Sequence, residues 1–185
     1  MIIAVTGPIG CGKGALTNYL AESRGFISYS LSGIFRKVAS ERGISPTRKN
    51  ITKLALGIFS ESPKESFLAK RFMELKPDLN KDIVIEGFRR VSDLTAFKKN
   101  LPNLVIIAVD APQEIRFQRL KERSREGDPR VFEEFIKVDD DENFSFGLQI
   151  DKCMTMAEYT IINDSSLKEF HKKIDEFLEK IRKRQ

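Results

Sequence analysis

A glycine-rich segment that contains one lysine follows the first apolar run of the chain. Its sequence, Gly7-Pro8-Ile9-Gly10-Cys11-Gly12-Lys13-Gly14, stands between the run Ile2–Thr6 and a helical pattern that starts near Lys13. Glycines let backbone N–H groups turn around an anion, and a helix N-terminus adds its positive end. The spacing G-x-x-x-x-G-K therefore predicts a loop that binds the phosphates of ATP, with Lys13 as the mobile charge on the β- and γ-phosphates. The predicted ATP-binding residues of this loop are Gly7, Pro8, Ile9, Gly10, Cys11, Gly12, Lys13, Gly14 and Ala15.

The position after the lysine lacks the hydroxyl that usually binds Mg²⁺ in such a loop. Gly14 stands there and Ala15 follows, so the sequence predicts a metal held through water, phosphates and a carboxylate elsewhere. Glu86, at the end of the third apolar run, is the predicted carboxylate and would act through water. Arg89 and Arg90 follow it and could hold a second anion with their forked N–H donors, and the sequence does not decide between them.

Two further clusters of charge stand in the second half of the chain. Arg116, Arg119 and Arg123 are spaced i, i+3 and i+7, which places them on one helix face. The acidic run at 139–142 is typical of a solvated helix face, or of residues that orient arginines of a mobile segment.

Five short apolar runs must position these residues. They cover 2–6, 26–29, 83–85, 104–109 and 159–162, and helical patterns separate them. Continuous apolar runs are typical of strands buried on both faces, and right-handed crossovers then place helices on both sides. The predicted architecture is a three-layer α/β/α fold with a five-stranded parallel sheet and ligands at the carboxyl ends of its strands. We expect one domain over 1–185, with an insertion at about 31–76 and a lid at about 125–157.

Composition narrows the class of protein. The chain has 185 residues and two cysteines far apart, which argues against a disulfide framework and favours a cytoplasmic protein. It has neither a basic leader nor a run approaching the roughly 20 apolar residues of a membrane span. The net charge of +5 permits nucleic-acid binding. However, the arginines gather near the predicted phosphate loop, which favours a small phosphorylated ligand over a nucleic acid.

Several segments resemble P-loop kinases that act on small molecules. Glu86-Gly87-Phe88-Arg89-Arg90 is similar to the Asp-Gly-Phe-Pro-Arg of adenylate kinases, and Asp110-Ala111-Pro112 to the Asp-x-Pro of nucleoside monophosphate kinases. The whole chain resembles a group related to dephospho-CoA kinases and deoxynucleoside monophosphate kinases. This resemblance implies a P-loop kinase fold with ATP and Mg²⁺ as cofactors. It also implies that Asn163 and Asp164 touch the adenine, unless they only cap a helix. By the same resemblance the catalytic residues are Lys13, Arg119 and Arg123, and the acceptor-binding residues are Ser30, Ser32, Arg36, Arg48, Arg71, Arg89 and Arg90.

The activity favoured by these patterns is ATP-dependent phosphoryl transfer to a small nucleotide, a nucleoside or deoxynucleoside monophosphate. Dephospho-CoA is the first alternative acceptor, but its hydroxyl needs a base, and the second strand ends without a carboxylate. A nucleotide sensor without turnover is the second alternative, favoured by Gly14 and Ala15. A nucleic-acid hydroxyl kinase is the third alternative. The oligomeric state is open.

Overall fold

The computed structural model describes residues 1–61, 66–125, 127–144 and 147–183. The strands are β1 (Ile2–Thr6), β2 (Ile27–Ser30), β3 (Ile83–Phe88), β4 (Leu104–Asp110) and β5 (Tyr159–Ile162). The helices are α1 (Lys13–Arg24), α2 (Leu31–Glu41), α3 (Arg48–Glu61), α4 (Phe67–Glu74), α5 (Val91–Asn100), α6 (Gln113–Arg123), α7 (Phe132–Phe144), α8 (Ile150–Thr155) and α9 (Leu167–Arg182).

The strands form a five-stranded sheet in the order β2-β3-β1-β4-β5, and every neighbouring pair is parallel. The central strand β1 is buried along its whole length, which explains its uninterrupted apolar sequence. The prediction of a five-stranded parallel sheet between helices is confirmed. Because all strands run the same way, their carboxyl ends meet at one edge of the sheet, where the glycine-rich segment leaves β1.

Alternation along the strands divides the core between the two faces of the sheet. Ile83 and Ile85 pack in one cluster with apolar residues of α2, α3, α4 and α5, whereas Val84 packs in the other cluster with α1 and α9. The face that carries Val84 is therefore the face that α1 covers.

A third, smaller apolar cluster lies beside the glycine-rich segment. Ile9 of that segment packs with Leu120 of α6 and Phe135 of α7, and Phe117 covers them. Residues of α6 and α7 therefore cover one side of the segment.

The observed strands differ from the predicted ones at their carboxyl ends. β3 continues beyond Ile85 to Phe88, and the register against β1 shifts between Val5 and Thr6. The hydroxyl of Thr6 donates to the carbonyl of Phe88 at 2.9 Å, which holds the extended end in place. The apolar pattern missed this extension because Glu86 and Gly87 interrupt it.

The helical segments proposed as an insertion and a lid are both present as helices. α2, α3 and α4 lie between β2 and β3, and α7 and α8 lie between α6 and β5. Their division into a core, an insertion and a lid stays a prediction. No helix within the described ranges has the length and hydropathy needed to cross a membrane.

Candidate functional site

The glycine-rich segment forms a tight loop between β1 and α1. Gly12 precedes α1 with φ at 105°, in the region that favours glycine, and no side chain caps the helix start. Gly7 lies so close to β4 that a Cβ there would stand 2.1 Å from the carbonyl oxygen of Val109. The first N–H groups of α1 thus lie uncapped by side chains at the end of a glycine-rich loop, an arrangement that fits a phosphate group.

The side chain of Lys13, the first residue of α1, folds back over the glycine-rich loop that precedes it. Its Nζ donates to the carbonyl oxygens of Gly7 at 2.6 Å and Pro8 at 2.7 Å. The ammonium group therefore stands beside the uncapped end of α1. Both carbonyl contacts involve only backbone oxygens, so a phosphate oxygen can replace either of them.

Arg119 and Asn163 meet on the other side of the loop, at the carbonyl of Cys11. Arg119 Nη1 donates to this carbonyl at 3.4 Å, and Asn163 Nδ2 donates to it at 2.9 Å. Arg119 Nη2 also donates to Asn163 Oδ1 at 3.1 Å. Asn163 is buried, so its side chain fixes the arginine and the loop relative to β5.

Asp164 and Arg123, two other predicted site residues, pair with neighbours along the chain. Asp164 accepts from Lys173 at 2.8 Å, and this hydrogen bond lowers the pKa of the carboxyl. Arg123 forms two bonds to Asp128, from Nε at 2.9 Å and from Nη2 at 2.6 Å. The structure thus joins Arg119 to the loop and holds Arg123 at the end of α6. That Asn163 and Asp164 contact the adenine stays a prediction.

Arg116, which the sequence grouped with Arg119 and Arg123, is buried against the loop. Its guanidinium donates to the carbonyl of Ile9 at 3.2 Å and to the carbonyl of Ala111 at 3.0 Å. It also forms an ion pair with Asp139 of α7, with Nη2 and Oδ2 at 2.7 Å. Burial has the largest single effect on the pKa of Arg116 and lowers it, but the hydrogen bond to Asp139 and the nearby negative charges together outweigh burial, so the pKa is raised. The helical spacing placed this arginine on one helix face with Arg119 and Arg123, but it did not indicate that the side chain is buried.

A second acid of α7 reaches the same loop. Glu142 is buried, its Oε2 accepts from the N–H of Ile9 at 2.9 Å, and its Oε1 accepts from Arg89. The expectation of a solvated acidic face is therefore wrong at Asp139 and Glu142, although Asp140 is exposed. The alternative, that these acids orient arginines of a mobile segment, stays a prediction. The sequence alone gave no sign of this difference, because a run of four acids has no polarity pattern of its own.

Arg89 and Arg90 point to different surroundings. Arg89 stays partly exposed and reaches the loop through Glu142. Arg90 is buried, and its guanidinium carbon lies 3.9 Å from the ring centre of Phe59. The sequence does not decide which of the two arginines could hold an anion, but their different burial in the structure distinguishes them.

The predicted acceptor-binding residues fall into two groups. Ser30 and Ser32 share a hydrogen bond of 2.9 Å at the start of α2, and Arg36 lies 3.4 Å from the Ser32 hydroxyl. Arg71 of α4 instead pairs with Glu41 at 2.6 Å and Glu74 at 3.0 Å. The Arg48 side chain lies outside the part of the chain that the structure describes.

A cavity of about 470 Å³ lies beside the edge strand β2. It brings Ser30 and Arg71 together, with Tyr29, Lys37 and Leu75 among the other residues of its wall. Its volume is within the range of small-molecule sites.

Glu86 lies at the carboxyl end of β3, in register with Val5 of β1 and Ser30 of β2. Alternation puts it on the same face as Val84, which is the face that α1 covers. Thr17 offers the loop no hydroxyl, because it is buried and donates to the carbonyl of Gly14 at 3.1 Å. The described residues contain no group of three or more His, Cys, Asp or Glu that could hold a metal directly. That Glu86 holds a Mg²⁺ ion through water stays a prediction.

Known proteins resemble the chain over most of its length. Residues 6–137 match a family model described as an AAA domain. A UPF0200 protein of Thermococcus onnurineus is 34% identical over 186 residues, which cover 98% of each chain.

Solved structures with low sequence identity share the fold. The protein TT1252 of Thermus thermophilus has a TM-score of 0.62 and 18% identity over 97% of both chains. The shikimate kinase of Acinetobacter baumannii, in complex with shikimate, has a TM-score of 0.60 and 18% identity over 100% of this chain and 94% of its own. The five-stranded parallel sheet with its flanking helices is thus a P-loop kinase fold.

Proposed function

Because the chain belongs to the UPF0200 family and carries an AAA domain over residues 6–137, we propose that it transfers a phosphoryl group from ATP to a small nucleotide. The acceptor that we favour is a nucleoside or deoxynucleoside monophosphate. One observation carries the proposal: Lys13 of α1 and Arg119 of α6 both bond to carbonyl oxygens of the loop at the uncapped start of α1. Cations from two elements around a bare helix N-terminus are suited to a chain of phosphates.

Lys13 and Arg119 have the central roles in this mechanism. Lys13 exchanges the carbonyl oxygens of Gly7 and Pro8 for phosphate oxygens of ATP, while the N–H groups at the start of α1 bind the same phosphates. Arg119, fixed by Asn163, offsets the negative charge that develops during transfer. Mg²⁺, when bound, neutralises phosphate charge, and Glu86 would hold it through water.

Arg89 is the stronger candidate for the acceptor phosphate, because Arg90 is buried against Phe59. Ser32 and Arg36 would bind the acceptor at the start of α2, and the cavity that contains Ser30 and Arg71 would hold its remaining part. A phosphate acceptor is already ionised at neutral pH, so no side chain has to remove a proton.

A hydroxyl acceptor, such as the ribose of dephospho-CoA, is the second candidate. One observation favours it: Arg71 and Arg89 already pair with acids, which reduces the positive charge available to an acceptor phosphate. A hydroxyl acceptor needs a base, and Glu86 at the end of β3 is a carboxylate on the α1 face.

A product assay distinguishes these candidates. The protein is incubated with ATP, Mg²⁺ and one acceptor at a time, from a panel of nucleoside and deoxynucleoside monophosphates, dephospho-CoA, shikimate and short DNA. Because ADP leaves the donor in every transfer, the diagnostic product is the phosphorylated acceptor: the diphosphate of the added monophosphate supports the favoured acceptor, and a phosphorylated hydroxyl supports the second candidate. Tight ATP binding without any product contradicts transfer and favours a nucleotide sensor. Transfer to DNA with steep salt dependence favours a nucleic-acid kinase.

The Lys13→Ala variant tests the role of the loop lysine. We expect loss of transfer without loss of the folded state, because the lysine bonds only to atoms of the loop itself, the carbonyls of Gly7 and Pro8 and the Sγ of Cys11. Lys172→Ala, which removes an exposed lysine of α9, is the matched control and keeps full activity. Full transfer by the Lys13→Ala variant would contradict the proposed role of this lysine in the mechanism.

A further inference from the structure

Glu142 connects the phosphate loop to Arg89 and is not part of the sequence-predicted site. The residue is 3% exposed, although it lies in the acidic run of α7. Each oxygen accepts from a different donor, Oε2 from the N–H of Ile9 at 2.9 Å and Oε1 from Arg89. A buried carboxylate is retained only where donors satisfy it, so these two contacts fix its orientation.

The helix that carries Glu142 is itself docked on the loop. Phe135 of α7 packs against Ile9, and Asp139 pairs with Arg116, which donates to the carbonyl of Ile9 at 3.2 Å. Both peptide groups of Ile9 are therefore tied to α7, one directly and one through Arg116. Because α7 is held against the loop, Glu142 has a fixed position, and it can therefore hold the Arg89 side chain in one orientation.

We propose that Glu142 is a positioning residue, which is anchored by Ile9 and aims the guanidinium of Arg89 at the anion that receives the phosphoryl group. The Arg89 side chain is 40% exposed, so part of its donor fork remains open to a ligand after one nitrogen bonds to Glu142. Without Glu142 this long side chain regains its rotamer freedom and must lose it again on binding. The inference rests on the proposed function insofar as the anion is an acceptor phosphate.

Replacement of Glu142 can separate aiming from simple support. Glu142→Gln keeps the shape but offers one oxygen to two donors, so its amide nitrogen faces either Ile9 or Arg89. Glu142→Asp keeps the charge but is one methylene too short to reach both donors, and it serves if the glutamine variant does not fold. Asp140→Asn removes the same charge from an exposed position of α7 and is the matched control.

The test is a double-mutant cycle between Glu142 and Arg89, read by calorimetric binding of linear inorganic pentaphosphate. This probe needs no turnover, and its five linked phosphates stand in for the phosphates of donor and acceptor together. We expect Arg89→Ala to weaken binding about tenfold in the wild-type background, as a lost charge-assisted hydrogen bond does. In the Glu142→Gln background the same change should weaken binding less than about threefold, because Arg89 is no longer aimed. In the Asp140→Asn background, Arg89→Ala should still weaken binding about tenfold, as it does in the wild type.

The possible outcomes separate this inference from the proposed function. Equal losses from Arg89→Ala in the Glu142→Gln and Asp140→Asn backgrounds overturn the positioning role, and so does a wild type that does not bind the probe. Coupling in the binding cycle without transfer to any acceptor supports the inference and contradicts the kinase activity. Where transfer occurs, the same cycle in kcat/KM for the acceptor should show the same coupling.

Discussion

Asp139→Asn should destabilise the protein strongly although it changes one residue of an acidic run. Arg116 is 5% exposed and pairs with Asp139 through two nitrogen–oxygen contacts, one of them 2.7 Å long. Removal of one partner of a buried ion pair leaves an uncompensated charge and costs about 3–5 kcal/mol. Asparagine retains one acceptor oxygen, so we expect a loss at or just below the bottom of this range, about 2–3 kcal/mol.

The measurement is urea unfolding, with thermal unfolding as a second readout. In a chain of this size each kcal/mol shifts Tm by roughly 2–4 °C, so the variant should melt about 4–12 °C below the wild type. Asp140→Asn removes the same charge one residue away, where the side chain is exposed. Its free energy of unfolding should stay within about 0.5 kcal/mol of the wild type.

A paired replacement tests the physical reason for the loss. Arg116→Met combined with Asp139→Leu removes both charges and leaves apolar groups beside Phe135, whose ring lies 5.1 Å from the Arg116 guanidinium. The double variant should recover most of the stability that Asp139→Asn loses, because no buried charge remains unpaired. If Asp139→Asn unfolds at the same urea concentration as Asp140→Asn, the reasoning about this pair is wrong.

Three further predictions concern the loop and the buried ionisable groups. Gly12→Ala should cost about 2 kcal/mol or more, because φ is 105° and the new Cβ would lie 2.2 Å from Asn163 Nδ2; Gly14→Ala, which meets nothing within 4 Å, should not destabilise in the same urea experiment. Both thiols should resist Ellman's reagent at about pH 8 until urea is added, because Cys11 and Cys153 are buried and burial raises the pKa of Cys153 to about 12; rapid reaction of the native protein would contradict this. Burial raises the pKa of Asp93 above its ordinary 3.8 in the folded state, so its contribution to stability falls as the pH rises from 3.8 through the raised pKa. As the pH rises through this window, the free energy of unfolding of Asp93→Asn should therefore increase relative to that of the wild type. A difference between the two proteins that does not change with pH would contradict a raised pKa at Asp93.

Local pattern was sufficient for the strands of the sheet and for the glycine-rich loop between β1 and α1. The runs that became β1 and β4 are apolar throughout because both faces of a central parallel strand are buried, so composition alone marks them. The loop is recognisable because its glycines and Lys13 lie within eight consecutive residues. Pattern was weaker at the end of β3, where Glu86 and Gly87 interrupt the apolar run although the strand continues.

Docking between distant elements decided which charges face the loop. Glu142 lies 133 residues from Ile9 in the chain, and Asp139 lies 23 residues from Arg116. Periodicity tells which residues share a face of one helix, but not which helix that face meets. The sequence by itself therefore determined the strands, the loop and its lysine, since each depends on neighbours in the chain. Only the tertiary structure decided that Arg116 is buried, that Arg89 differs from Arg90, and that two acids of α7 hold the loop. The burial and pairing of these charges depend on the packing of α6 and α7 on the glycine-rich loop and of Arg90 on Phe59, and neither contact leaves a local trace in the sequence.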